Sequence, residues 1–313
     1  MLPDLRVSVS ATGGYEAFYG LHECPFDVAP NTQMLFESQS YATALDATIL
    51  AIRSNTPLVV VTGAAGTGKT LFCRSFTEGL ITNILLSEYA GAPSSREEFF
   101  ARLGDKLASF LGTDSPPPAA NEDLLTRCRD LVQRLAVVDG AALFVIDNAD
   151  ELSPELFDDI GKLLSFDTND TNRLQLLLVG RPALKTLLER PWARDLAPWE
   201  MKRLELRPLQ EEEIGPYIDK RLSIAREESS RVRFSAAAVR AIAQLSKGIP
   251  AEVNRVSDRA LQCGFFEQEE DIDVRQVLGA AQDLGLDTPL DLKVADSSRL
   301  FGIRKFFQKW RVE

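Results

Sequence analysis

The sequence predicts an α/β fold: a mostly parallel sheet with helices on both faces, followed by an all-helical unit. Three observations predict it. Short apolar runs recur at 57–63, 84–86, 141–146 and 174–180, separated by stretches of helical periodicity. The first run ends in a glycine-rich loop that opens into one of those helical stretches. Beyond Gln210 clear strand runs stop, and helical patterns follow one another at about 210–226, 235–247, 250–264 and 272–284.

Residues 1–14 carry little periodicity and end in Thr12-Gly13-Gly14, so they read as a loose leader. Helical spacing runs from Ala42 to Ile52. "PLVVVTG", 57–63, is β-branched, short and stopped by glycine, which favours a buried strand over a helix. A second strand, Ile84 to Leu86, follows the helix after the glycine loop. Ser94 with Glu97 has capping-box spacing ahead of "FFARLGDKLASFL". "SPPPAAN", 115–121, is a proline-rich break, and Asn121 is placed to cap the helix "EDLLTRCRDLVQRL". Strand "AALFVI", a helix near 153–164, strand "LQLLLVG" and strand "KRLELRP" complete the first unit.

Composition excludes several function classes. The net charge of −11 argues against a uniformly basic, nucleic-acid-coating surface. The 4 cysteines, Cys24, Cys73, Cys128 and Cys263, form no Cys-x-x-Cys pair and read as reduced thiols rather than a disulfide or zinc framework. His22 is the only histidine, which removes a multi-histidine metal site and leaves a Ser-His-Asp triad only if His22 itself takes part. No apolar run approaches the ~18–20 residues that span a bilayer. The start of the chain lacks the basic and long apolar segments of a signal peptide, so the expected compartment is the cytoplasm.

The glycine loop carries the chemistry. "GAAGTGKT", Gly63 to Thr70, fits G-x-x-x-x-G-K-[S/T] in full, after a strand and before a helix. Glycines at 63, 66 and 68 let the backbone turn its N–H groups inward around phosphates, and the helix N-terminus adds partial positive charge. The expected nucleotide-binding set is Gly63, Ala64, Ala65, Gly66, Thr67, Gly68, Lys69, Thr70 and Leu71. Lys69 would reach the β- and γ-phosphates, and the Thr70 hydroxyl would take a ligand position on Mg2+.

The apolar run Leu143–Ile146 ends in Asp147, a carboxylate delivered by a buried strand to hold Mg2+ opposite Thr70. Thr70 and Asp147 are therefore the expected metal residues, with ATP and Mg2+ as cofactors. A strand lies in sequence between the two motifs, which puts the chain in the P-loop class with an additional strand between its motif strands. Asn148 follows Asp147. An amide can orient water but cannot take its proton. Asp150 and Glu151 either substitute for the missing carboxylate or cap and solvate the next helix. Lys69, Asp147 and Asn148 are the expected catalytic positions.

These residues resemble the AAA+ ATPases of the ExeA/GspA type, accessory proteins of bacterial type II secretion. "YEAFYGLHECPFDVAPNTQMLF", 15–36, looks like that family's opening segment, "LQLLLVGRPALKTLLERP", 174–191, like its fourth core strand and following helix, and "LRPLQEEEIGPYIDKRLSIA", 206–225, with "FSAAAVRAIAQLSKGIPAEVNRVSDRAL", 234–261, like its helical lid. The resemblance covers about 15–285. It implies an AAA+ core over 15–208, a lid over 209–285, nucleotide held between them, assembly as a homo-oligomer, and Phe18, Tyr19 and Phe26 near the adenine. The sequence departs from the family at three hydrolytic positions. Asp147-Asn148 stands for Asp-Glu. Gly248-Ile249-Pro250 is followed by Ala251 where the lid has arginine, with Arg255 one turn on. "LAPWEMKR" has Pro198 and Trp199 where an arginine is usual just before the last core strand. Arg181 occupies the polar position after the fourth strand and, with Arg255, is a sensor candidate.

The expected function is thus that of an ATP-binding AAA+ protein, an enzyme hydrolysing ATP slowly because Asn148 replaces the usual glutamate. It would serve as a nucleotide switch that remodels or recruits a protein partner in an envelope-associated secretion or export assembly. Two alternatives stay open: a DNA-associated AAA+ regulator of the transposition target-selection type, and a nucleotide-stabilised scaffold without useful turnover. The DNA reading is the weaker, because Arg231, Arg233, Arg240, Arg255 and Arg259 are interspersed with acids. After a linker at 286–298, "RLFGIRKFFQKWRVE" at 299–313 carries five basic residues and one acidic residue. At ~100° per residue its Leu300, Ile303, Phe306, Phe307 and Trp310 share one helical face. That pattern suits a helix lying on an anionic membrane surface, a peripheral tether on the inner membrane face.

Overall fold

The computed structural model describes residues 14–27, 29–78, 84–89, 95–113, 123–135, 141–165, 174–190 and 201–287. In chain order the elements are α1 (Tyr15–Tyr19), α2 (Gln39–Arg53), β1 (Leu58–Gly63), α3 (Lys69–Glu78), β2 (Ile84–Tyr89), α4 (Arg96–Phe110), α5 (Leu124–Leu135), β3 (Ala141–Ile146), α6 (Pro154–Ser165), β4 (Leu174–Gly180), α7 (Ala183–Leu188), β5 (Met201–Leu206), α8 (Glu211–Ala225), β6 (Arg233–Phe234), α9 (Ala236–Ser246), α10 (Pro250–Glu267), β7 (Asp271–Ile272) and α11 (Val274–Asp283). They divide into two compact units. One is Pro30–Pro208; the other joins the chain up to Ala29 with the chain from Leu209 onward.

The first unit is built on one parallel sheet in the order β2-β3-β4-β1-β5. Strands β1 and β4 are buried along their whole length, which is why both read as continuous apolar runs. Alternate residues serve opposite faces. Val60, Phe144 and Leu178 pack against Phe99, Phe100 and Leu103 of α4 and Phe157 of α6. Val59, Val145 and Val179 pack against Phe72 and Phe76 of α3 and Ile52 of α2. Each large side chain so buried is worth ~1.5–3 kcal/mol relative to exposure. Gln175 interrupts the β4 run for a reason: its buried amide donates to Ile52 O at 2.9 Å and Thr56 O at 3.1 Å, tying β4 to the end of α2.

The strand inserted in space between the two motif strands β1 and β3 is β4, not β2, which lies in sequence between them. β2 pairs with β3 on the far side, from Ile84↔Ala141 to Tyr89↔Ile146. Sequence order alone does not carry that crossover. Two caps also shift. α4 is capped by Ser95, whose Oγ accepts from Glu98 N at 3.1 Å; Ser94 of the expected Ser94–Glu97 pair lies outside the described residues. Before α5, Asp123 accepts from Leu125 N at 3.3 Å and Thr126 Oγ1 at 2.8 Å; Asn121 lies outside the described residues.

The second unit contains α8 to α11, close to the four helical patterns expected, but it is not purely helical. β6 and β7 pair in parallel, Arg233↔Asp271 and Phe234↔Ile272. Two-residue strands are too short to show a period in sequence. The opening segment, up to Ala29, groups with this unit. Its tie-points are distant in sequence. Tyr19 Oη donates to Leu261 O at 3.0 Å, the Phe18 ring meets Phe265 edge-on at 5.4 Å, and His22 N donates to Ala225 O at 2.9 Å. The buried Arg221 holds Pro25 O at 2.9 Å and Asp27 O at 3.1 Å. Phe26 packs on Phe234. Phe18, Tyr19 and Phe26 thus serve the packing of this unit. The basic segment 299–313 and, beyond residue 287, the linker lie outside the described residues.

Candidate functional site

β1 ends at Gly63, in register with Leu206 of β5 and one residue beyond the Thr62↔Gly180 pair with β4. The loop Ala64–Gly68 then turns into α3. A side chain at 63 has no room: a Cβ there would lie 2.5 Å from Thr67 Oγ1 and 2.9 Å from Leu206 O. Gly66 and Gly68 adopt φ of 79° and 91°, the region open to glycine. Thr67 is buried, with its hydroxyl donating to Ala64 O at 2.9 Å, while Ala65 and Gly66 are exposed at the rim. Phe72 N bonds Gly68 O at 2.8 Å, so regular helix begins at once. The first-turn N–H groups at Lys69, Thr70 and Leu71 are left for an anion.

Lys69 is buried and its Nζ donates to Ala64 O at 2.9 Å. Burial holds its ammonium below the usual lysine range, and the Asp147 carboxylate partly offsets that. Thr70 Oγ1 donates to Asp147 Oδ2 at 2.7 Å, across from β3. Asp147 is buried, and its Oδ1 accepts from Asn148 N at 2.8 Å. A lysine, a hydroxyl and a carboxylate therefore converge on a loop of backbone donors. That donor set fits a triphosphate and a hard cation bound through oxygen. Asn148 is partly buried in the left-handed conformation, φ 54° and ψ 36°, one that asparagine tolerates better than most residues.

The two sensor candidates are placed differently. Arg181 follows β4 at the same sheet end, but its guanidinium is engaged by acids: Nε on Asp150 Oδ2 at 2.7 Å and Nη2 on Glu151 Oε1 at 2.5 Å. Asp150 and Glu151 are thus neither loose helix caps nor separate from Arg181, a pairing no spacing in the sequence announces. Arg255, in the second unit, pairs with Glu252 one turn back at 2.8 Å. Ala251 sits beside it in the first turn of α10 and has nothing to offer a phosphate. Gly248, φ 73°, faces the Leu209 carbonyl with no space for a Cβ.

Residues 52–188 match the family described as AAA domain. Over 251 residues the chain is 28% identical to general secretion pathway protein A of Aeromonas hydrophila, an alignment covering 80% of this chain and 45% of that protein. The chain thus carries an AAA domain match and is similar to general secretion pathway protein A. It spans less than half the length of that relative. The AAA+ fold itself is shared with solved structures of low identity. Cdc6p from Pyrobaculum aerophilum aligns with a TM-score of 0.56 at 15% identity, over 83% of this chain and 70% of that one. A chain of Drosophila ORC bound to DNA aligns with a TM-score of 0.59 at 15% identity, over 92% and 70%. The glycine-rich motif at 63–70 falls inside the matched domain. Among the described residues no helix is long and apolar enough to cross a membrane.

Proposed function

We propose that this AAA+ protein binds ATP with Mg2+ at Gly63–Leu71 and Asp147, hydrolyses it slowly, and works as a nucleotide switch on an envelope-associated secretion or export assembly, as a homo-oligomer in the cytoplasm. The observation that carries the nucleotide part is the Thr70–Asp147 contact of 2.7 Å beside the buried Lys69. A hydroxyl and a carboxylate brought together at the mouth of a phosphate loop have the oxygen donors Mg2+ needs. Lys69 would neutralise charge on the outer phosphates, and the backbone donors would orient them.

Slow turnover follows from Asn148. It can align a water through its amide but has no basic oxygen to remove the proton, a loss of ~10²–10⁴ in rate. The likeness to general secretion pathway protein A supports the secretion setting. Against the DNA-regulator alternative, Arg233, Arg255 and Arg259 of the second unit are each paired with an acid: Asp271, Glu252 and Asp283. The tether proposed for 299–313 predicts that anionic liposomes recover the intact chain and lose one ending at Ser298.

The test is titration of ATP-Mg2+ into wild type and Lys69→Ala, with phosphate release measured alongside. Binding lost in Lys69→Ala, and wild-type turnover far below the ~10 s⁻¹ of a median enzyme, support the reading. Equal affinity in the two proteins would place the site elsewhere.

A further inference from the structure

The C-terminal end of α10 carries an aromatic patch that has no part in nucleotide binding. Phe266 is 62% exposed. Its ring lies 5.6 Å from that of Phe265, and Phe265 in turn meets Phe18 of α1 at 5.4 Å; Phe265 and Phe18 are half-buried. Next to Phe18, Tyr19 Oη donates to Glu269 O at 3.1 Å, so the turn after α10 runs along the edge of the patch. That turn is acidic, with Glu267, Glu269, Glu270 and Asp271 following Phe266. Arg275 engages Glu267 at 2.7 Å and Glu269 at 3.5 Å, and Arg233 engages Asp271 at 2.9 Å. Four acids against two cations leave the rim negative, and Glu270 is exposed. An exposed aromatic surface with a charged rim marks an interaction site.

We propose that this patch is the docking site of the chain's own segment 299–313, held within one molecule by its aromatic face and its basic residues. That segment lies outside the described residues. In sequence it places Leu300, Ile303, Phe306, Phe307 and Trp310 on one helical face and carries five basic residues against one acidic residue. An aromatic, positive segment complements an aromatic, negative surface on both counts, and arginine or lysine over a Phe ring adds cation–π attraction. The segment is also within reach. Asp283, at the end of α11, accepts from Arg259 Nη2 at 2.7 Å, and Arg259 precedes Phe266 by seven residues of α10, about 10 Å. The described chain runs on to Asp287, and residues 288–298 span up to ~36 Å when extended. A tether of that length keeps the segment near the patch at a local concentration in the millimolar range, so a weak contact suffices. The face that docks is the face a membrane would take up. The two uses exclude each other, and anionic lipid has to compete with the patch for the segment.

The test is the rate at which chymotrypsin cleaves the full chain after Phe306, Phe307 and Trp310, mapped by mass spectrometry without lipid or nucleotide. A docked segment is cut only when it leaves the patch, so the rate follows the released fraction. Phe266→Ser, at an exposed position, should raise that rate by about three- to tenfold, the share of one aromatic contact. Glu269→Lys/Glu270→Lys should raise it similarly at low salt and less at high salt. Adding Arg304→Glu/Lys305→Glu to that variant should restore slow cleavage, which a folding defect could not do. Equal rates in wild type, Phe266→Ser and Glu269→Lys/Glu270→Lys overturn the proposal. The rate should also hold constant across a roughly fiftyfold range of chain concentration, since the tether outweighs free chains. Slower cleavage at high concentration would seat the segment on a second copy and overturn docking within one molecule. With no lipid or nucleotide present, this outcome is separate from the fate of the ATP and membrane readings.

Discussion

Under the proposed function, Asn148→Glu supplies the carboxylate missing after Asp147, and the backbone at 148 sets its cost. Asn148 sits at φ 54°, ψ 36°. Asparagine visits the left-handed region readily and glutamate does not, a difference of about 1 kcal/mol. A second carboxylate next to Asp147 adds repulsion, which Mg2+ would relieve on binding. Together these cost about 1–2 kcal/mol in the free protein, a fall in Tm of ~2–4 °C per kcal/mol for a unit of this size. The gain is a general base, worth ~10²–10⁴ in rate where it is the sole deficiency. If Ala251 and the stretch before β5 also limit turnover, as the proposed function has it, a rise of at least about tenfold is expected rather than the full range. Phosphate release at saturating ATP-Mg2+ measures the gain, thermal melting the cost, and calorimetry checks that ATP affinity holds. Asn148→Gly, which suits the backbone without supplying a base, is the control and should stay slow. A folded Asn148→Glu protein that binds ATP as wild type does and still turns over no faster would refute the assignment of slow hydrolysis to this position.

Other perturbations have equally definite outcomes. Gly63→Ala forces a methyl against Thr67 Oγ1 and the Leu206 carbonyl, 2.5 and 2.9 Å away, so it should destabilise the first unit by about 1–3 kcal/mol in urea and weaken ATP binding. Asp147→Asn removes the charge opposite Thr70; ATP binding should persist but lose most of its dependence on Mg2+, read by titrating Mg2+ at fixed ATP. Burial pushes the Cys128 thiol up to about 12 and the Cys263 thiol up to about 11. Raising the pH from 7 to 9 therefore creates almost no thiolate at either in the folded chain, and iodoacetamide mapped by mass spectrometry should modify the partly exposed Cys24 first. Equal labelling of Cys24 and Cys128 under native conditions would contradict the packing around α5.

Much of the first unit was legible because its strands are buried on both faces. A doubly covered parallel strand has to be apolar throughout, so "LVVVTG" and "LQLLLVG" announce themselves without a partner in view. The phosphate loop was legible for a different reason: its glycines are demanded by local backbone geometry, and local demands are written in consecutive residues. Caps slipped by one position, Ser95 for Ser94, because two adjacent serines present the same hydroxyl and only the helix geometry chooses between them. Ser94 and Asn121 are ordinary cap residues, but residue type alone does not settle which of several neighbouring polar residues caps a given helix.

What the sequence determined by itself is the alternating α/β class, the glycine loop and the carboxylate at the end of an apolar run, since each depends on short-range pattern. Tertiary structure decided the rest. It placed β4 between β1 and β3, put the opening segment on the helical unit through Tyr19, His22 and Arg221, and paired β6 with β7. It also brought Asp150 onto Arg181, 31 residues away. Those contacts join residues far apart in the chain, and their energies depend on burial and approach that exist only after folding. An isolated Asp-Glu pair in sequence is a solvated turn; beneath Gly180, with a guanidinium across it, the same pair ties the turn after β3 to the end of β4.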